Sequence, residues 1–279
     1  VRRFRLTSLV LLLLLGGCTT KTPFDFDEIS SYKIFYNIPT EAIIEDMTRY
    51  DLVIIEPIWY TPEQIEAIRS NGTKVLGYIN VMEADTWNRE LIGQMKQDDF
   101  FYRDGERIYF PKWDSYLTDI SSDHFRKILM REIQKQVINK HLDGIFLDTV
   151  GDIDDVHLDY PEDLTEQLNG LEAFLKAIKQ TYTGIPIVQN WGIETLERTS
   201  APYVDGFMWE GFNYSEITSD SWSMEMLDRM NVIQEQYGIA VLTVSDQEAA
   251  ISRDLAEENG FIHYHEPTYY DTWDFQEEN

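Results

Sequence analysis

Eight short apolar runs, most of them followed by a helical segment, constrain this chain more than any other feature. They lie at residues 32–38, 52–56, 74–80, 144–148, 185–189, 206–209, 239–244 and 261–265. Most are near-continuous and rich in β-branched and aromatic residues, as expected of parallel strands covered on both faces. Helices are expected at 41–49, 61–71, 122–140, 164–182, 219–237 and 248–259. The second opens with Thr61-Pro62-Glu63-Gln64, a cap followed by a first-turn proline and an acidic first turn, and stops at Asn71-Gly72. The element between the fifth and sixth runs is short and ends near Pro202. Strand, helix, strand in this rhythm means a parallel sheet. Eight units in roughly 250 residues favour one closed (β/α)8 TIM barrel over an open doubly wound sheet.

Two runs share a plan. Asp143-Gly-Ile-Phe-Leu-Asp148 and Asp205-Gly-Phe-Met-Trp-Glu210 each open with Asp-Gly and deliver a carboxylate at the C-terminal end of a strand. In such barrels that end carries the active site. Two carboxylates there are the minimal equipment for cleaving a glycosidic bond. The remaining strand ends add Tyr36, Glu56, Tyr78, Asn80, Gln189, Asn190, Trp191, Ser245, Asp246, His265 and Glu266. Asn190-Trp191 reads as a sugar-contacting pair, the amide for hydroxyls and the indole as a stacking face. Residues 81–121 form a long aromatic and charged segment on the same side, expected to wall the cleft.

The N-terminus reads as a secretory signal. Arg2, Arg3 and Arg5 precede the short apolar core Leu9 to Leu15, and small residues lead to Cys18. The apolar run is shorter than the roughly 20 residues of a membrane span. Cys18 is the single cysteine, so it has no internal disulfide partner. We therefore expect a signal peptide at 1–17, a lipidated N-terminus and tether at 18–30, and the barrel at 31–279. The mature protein would be held to the cell-envelope membrane through lipid alone.

Without the three signal arginines, 20 basic residues face 50 acidic ones, a net charge of −30. Such a surface repels nucleic acid and anionic headgroups and attracts a cationic polymer. No cofactor is expected. Glycine-rich nucleotide loops and the Gly-x-Ser-x-Gly elbow are missing. No bound metal is expected either. Asp152, Asp154, Asp155, His157 and Asp159 crowd one loop, but no sixth-position glycine completes a calcium loop there. His263 and His265 are expected on opposite faces of the last strand.

At these residues the chain resembles the endo-α-1,4-polygalactosaminidase family, glycoside hydrolase family 114, and its bacterial secreted relatives. The matching stretches are Tyr50-Asp-Leu-Val-Ile-Ile-Glu56, Gly72-Thr-Lys-Val-Leu-Gly-Tyr-Ile-Asn80, Glu83-Ala-Asp with Arg89, and the two runs ending in Asp148 and Glu210. The resemblance implies a (β/α)8 fold, hydrolysis of α-1,4-linked galactosamine polymers, Asp148 and Glu210 as catalytic pair, and Glu83 among the substrate-binding residues. Met82 stands where relatives usually carry glycine, and Gly151 where many carry a second aspartate. Glu210, beside Trp209 and Phe212, suits a protonated general acid, because apolar neighbours raise a carboxyl pKa. Asp148 suits the nucleophile, with Tyr78 or Asn80 as hydrogen-bond donor. The same ring of strand ends also suits a non-catalytic carbohydrate-binding lipoprotein or a hydrolase of another glycan.

Overall fold

A computed structural model describes residues 24–275; Cys18 and the signal-like segment lie outside the described residues. Eight parallel strands form one sheet in chain order: β1 Tyr32–Phe35, β2 Leu52–Ile55, β3 Lys74–Asn80, β4 Gly144–Asp148, β5 Ile187–Asn190, β6 Gly206–Glu210, β7 Ala240–Ser245 and β8 Ile262–His265. With helices between them, this is a single-domain (β/α)8 barrel.

Strand side chains alternate between two cores, as the two-residue pleat requires. Ile34, Ile54, Leu76, Phe146, Val188 and Leu242 fill the barrel interior. Phe35, Ile55, Val75, Ile145, Phe207 and Val241 face outward beneath the helices. Both faces are apolar, so the runs lack polar alternation. Gly144 is needed at the start of β4, because a Cβ there would lie 2.9 Å from the Pro186 carbonyl and 2.5 Å from Leu76. At the bottom, Phe24, Phe26 and Ile29 pack against the interior core, so folded structure begins within the stretch read as a tether.

The seam between β1 and β8 is different. Among the described residues no backbone ladder joins these strands. The rings of Tyr32 and Tyr264 meet across the seam with centroids 5.5 Å apart. The chain after β8 then runs back along β1, and the Tyr36 amide donates to the Tyr270 carbonyl at 2.7 Å. β1 therefore ends at Phe35 rather than at the expected Ile38, which is exposed.

The local expectations hold where caps set the boundary. The helix Pro62–Arg69 carries a reciprocal capping box, with Gln64 N to Thr61 Oγ1 at 3.3 Å and Thr61 N to Gln64 Oε1 at 2.9 Å. Boundaries shift where a donor is missing or a turn widens. β5 starts at Ile187 because Pro186 has no N–H to give its neighbour. The expected helix 122–140 is α-helical over Asp123–Glu132 and widens to π-type over Ile133–Ile138. The histidine expectation was wrong. Residues two apart on a strand share a face, and Ser245 Oγ lies 3.0 Å from His263 Nε2 and 2.9 Å from His265 Nδ1. No described helix is long and apolar enough to cross a membrane.

Candidate active site

Parallel pairing aligns Asn80 of β3 with Asp148 of β4, and Asn190 of β5 with Met208 of β6, two residues before Glu210. The register thus brings all these strand ends to one rim. Asn190 stands between the two carboxylates. Its Nδ2 donates to Asp148 Oδ1 at 2.7 Å and to Glu210 Oε1 at 2.8 Å. Two oxygens bound to one nitrogen at those lengths lie at most about 5.5 Å apart. Glu210 Oε2 accepts from the Tyr270 hydroxyl at 3.0 Å.

The cleft above them encloses about 1340 Å³. Of the residues expected at the site, Tyr36, Tyr78, Asn80, Glu83, Asp148, Asn190, Trp191, Glu210, Asp246 and Glu266 all line it. Glu56 does not. Its Oε1 accepts from Ile58 N at 3.2 Å and caps the turn Pro57–Trp59. Several lining residues are already engaged. Asn80 donates to Asp85 at 3.2 Å, Asp246 accepts from Asn213 at 2.6 Å, and Glu266 accepts from Thr268 Oγ1 at 2.7 Å. The donor to Asp148 is therefore Asn190 rather than Tyr78 or Asn80, and the Asn190 amide is used on carboxylates. The Trp191 indole stacks on Trp222 with centroids 6.4 Å apart and planes 25° apart.

The strand ends turn sharply. Thr149 and Trp191, directly after Asp148 and Asn190, have φ of 62° and 54°. Non-glycine residues there carry about 1–3 kcal/mol of strain each, a feature that clusters at functional sites. Thr149 is held by its hydroxyl, which donates to Asn80 Oδ1 at 2.7 Å and accepts from Met82 N at 2.8 Å. Gly151 has a physical reason: a Cβ there would meet the Trp191 Cβ at 2.7 Å. An aspartate cannot stand at this position without moving Trp191.

Burial raises the Glu210 carboxyl above its ordinary range, and the negative charge of Asp148 adds to the rise. The bonds from Asn190 and Tyr270 and the charge of Lys112 pull in the opposite direction without cancelling it. Burial also pushes Asp85 up to about 6. Burial raises both Glu83 and Asp152; the charge of Glu83 adds to the rise at Asp152, whereas the hydrogen bond with Asp152 opposes the rise at Glu83. Among the described residues, eleven carboxylates line the cleft against one cation, Lys112.

The aromatic segment 81–121 folds into small antiparallel strands. Its Trp87 and Trp113 line the cleft, whereas Phe100 and Phe101 are buried packing residues. Tyr270 and Trp222 had no sequence signal, and Lys112 had only its place in the segment 81–121. Tyr270 lies five residues beyond the last strand, and Trp222 belongs to no strand-end pattern. In the Asp-rich loop Asp152, Asp154 and Asp155 line the cleft, and Asp154 also ties the loop to its neighbour. Asp154, pushed up to about 6 by burial, accepts from Glu194 N at 2.9 Å and from Thr195 N at 3.0 Å. No cluster of three metal-ligating side chains forms among the described residues.

A (β/α)8 barrel with two carboxylates joined across the C-terminal rim is the architecture of a glycoside hydrolase. The chain belongs to glycoside-hydrolase family GH114, whose sequence profile matches residues 26–260. Two similar solved structures span nearly the same length. The glycoside hydrolase domain of PelA from Pseudomonas aeruginosa has a TM-score of 0.71 at 16% identity, over 88% of this chain and 97% of that one. Ega3 from Aspergillus fumigatus, solved in complex with galactosamine, has a TM-score of 0.61 at 16% identity, over 85% and 91%. TtGalA, an α-galactosidase from Thermus thermophilus, shares the barrel at 9% identity with a TM-score of 0.58, over 86% of this chain and 59% of that one. At these identities the likeness is one of fold. Sequence comparison with curated proteins finds no match.

Proposed function

We propose that this protein is a retaining glycosidase of galactosamine-type polysaccharide, with Asp148 as nucleophile and Glu210 as acid and base. The observation that carries this reading is the single amide nitrogen of Asn190 bonded to both carboxylates. It holds Asp148 Oδ1 and Glu210 Oε1 within about 5.5 Å of each other, which fits the close carboxyl pair of retaining enzymes better than the wider pair that admits the water of an inverting one.

Asp148 attacks the anomeric carbon as Glu210 gives its proton to the leaving oxygen, and the glycosidic bond breaks. Glu210 then takes a proton from water, which attacks the same carbon and frees Asp148. Burial suits Glu210 to the acid role, because it keeps the proton on at a pH where an ordinary glutamate has lost it.

The acidic cleft supports a cationic polymer as substrate, namely a partly deacetylated amino sugar. The galactosamine in the Ega3 complex points to the same class. Lipid attachment at Cys18 would hold the enzyme at the cell envelope beside such a polysaccharide.

Mass spectrometry of products from deacetylated and acetylated α-1,4-galactosamine polymers tests the reading. Short oligosaccharides should appear from the deacetylated polymer and vanish with Asp148→Asn. Release from neither polymer by the wild-type protein overturns the assignment.

A further inference from the structure

The chain beyond β8 lies outside the range matched to the family, which ends at residue 260. It is nevertheless bound tightly to the barrel. The Trp273 indole donates to buried Asp46 at 3.0 Å and packs edge-on against Phe35 at 5.5 Å. Lys33 stands 4.3 Å over the Trp273 ring and donates to the Asp274 carbonyl at 2.6 Å. Asn37 donates to the Asp271 carbonyl at 3.1 Å, and the Tyr270 carbonyl accepts from the Tyr36 amide. These contacts cover the unladdered seam between β1 and β8. They also bring the Tyr270 hydroxyl to Glu210 Oε2 and set its ring against Tyr36, with centroids 5.5 Å apart.

We propose that this C-terminal strap is part of the active site, and that Tyr270 is a positioning residue that holds the Glu210 carboxyl from the side opposite Asn190. The inference rests on the hydrolase reading above and deepens it. Asn190 alone fixes one oxygen of Glu210 and leaves the carboxyl free to pivot about that bond. A second donor on the other oxygen fixes the plane, and hence the direction in which the proton is delivered. Tyr270 is a suitable donor. Burial and the neighbouring Glu210 raise its own pKa well above the ordinary value, so the phenol keeps its proton. The charged and titratable groups facing Glu210 are Asp148 from β4, Tyr32 and Tyr36 from the β1 side, Lys112 from the long insertion, and Tyr270 from the strap. Among them, Asp148 favours the protonated form of Glu210, while Lys112 and the Tyr270 hydrogen bond favour the ionised form.

The variant Tyr270→Phe keeps the ring and removes only the hydroxyl. Losing a bond that favours ionised Glu210 must raise its pKa. The direct measurement is carbon-13 titration of the Glu210 side-chain carboxyl in the full chain, assigned by its disappearance in Glu210→Gln. We expect a higher midpoint in Tyr270→Phe, together with an alkaline limb of the activity profile moved to higher pH and kcat lowered about tenfold. A tyrosine that only packs leaves the titration midpoint unchanged in Tyr270→Phe, and that result overturns the inference. The titration needs no substrate. Failure of the hydrolase reading would instead show as a wild-type protein that cleaves no polymer, whatever the midpoint does.

Discussion

The two Asp-Gly runs place one carboxylate at each end of a strand or just outside it, and the two ends are treated in opposite ways. At the N-terminal end Asp143 meets Arg69 through two bonds of 2.9 Å and accepts from Val75 N at 3.0 Å. Asp205 accepts from Lys179 at 2.6 Å and from Ile187 N at 2.9 Å. At the C-terminal end the hydrogen-bond donors to Asp148 and Glu210 are neutral side chains, Asn190 and Tyr270, and Glu210 feels the charge of Asp148 more strongly than that of Lys112. A carboxylate facing a cation has its charge neutralised and stays ionised. A buried one facing neutral amides and a second carboxylate remains able to exchange a proton. The partner, more than the residue type or the sequence motif, separates the acids held in ion pairs from the two proposed as catalytic.

The comparison is most directly broken at the reactive ends. Asp148→Asn or Glu210→Gln should lower kcat about a thousandfold or more while thermal unfolding stays near wild type. Near-normal turnover in either would remove that residue from the mechanism. Asn190→Ala should lower kcat about a hundredfold, because the two carboxylates lose their common tether. It should also move the alkaline limb of the pH profile upward, since an interaction that favours ionised Glu210 is gone.

Stability should respond at the other end. Arg69→Ala leaves the half-buried Asp143 without its guanidinium and should cost about 2–3 kcal/mol in urea unfolding, with kcat per folded molecule unchanged. A large loss of kcat there would mean that the two ends are not separable.

Glu56, which is not among the residues lining the cleft, sharpens the contrast. Burial raises its carboxyl to about 8, so the neutral acid is the form that fits the fold. The unfolded chain has the ordinary value of 4.5, and ionisation therefore opposes folding. The stability associated with the neutral form is complete below about pH 4.5 and lost as pH rises through about 8. Glu56→Gln should then reduce the fall in melting temperature between pH 5 and pH 9, on the order of a few degrees. Parallel curves for the two proteins would contradict it. The smallest effect expected is electrostatic. Raising salt should increase KM for a cationic polymer several-fold without changing kcat. A flat response would separate the acidic cleft from substrate capture.

Much of this was legible along the chain because its causes are local. Apolar runs with no polar alternation specify strands buried on both faces, and eight of them with helices between leave a closed barrel as the economical answer. The positions of Asp148 and Glu210 at strand ends follow from the same count, since every parallel strand points its C-terminal end to one rim. The cap at Thr61 and the capping-box glutamine need only four residues to be read. The role of Glu56 was not legible. A glutamate before a proline looks the same whether it points into the cleft or turns to cap Ile58. Asn190 was expected at the cleft and lines it, yet its two hydrogen bonds to the carboxylates depend on the lateral register of three neighbouring strands.

By itself, then, the sequence determined the kind of element at each stretch, the barrel, and which carboxylates reach its rim, because propensity, pleat and turn chemistry act over a few residues. Only the tertiary structure decided which donors those carboxylates meet. Tyr270 is 60 residues from Glu210 along the chain, and no local pattern encodes a hydrogen bond across that interval. That contact exists because the strap is held by Trp273, Lys33 and Asn37 over a seam that the backbone leaves unpaired, and packing at that distance is settled only when the whole barrel closes.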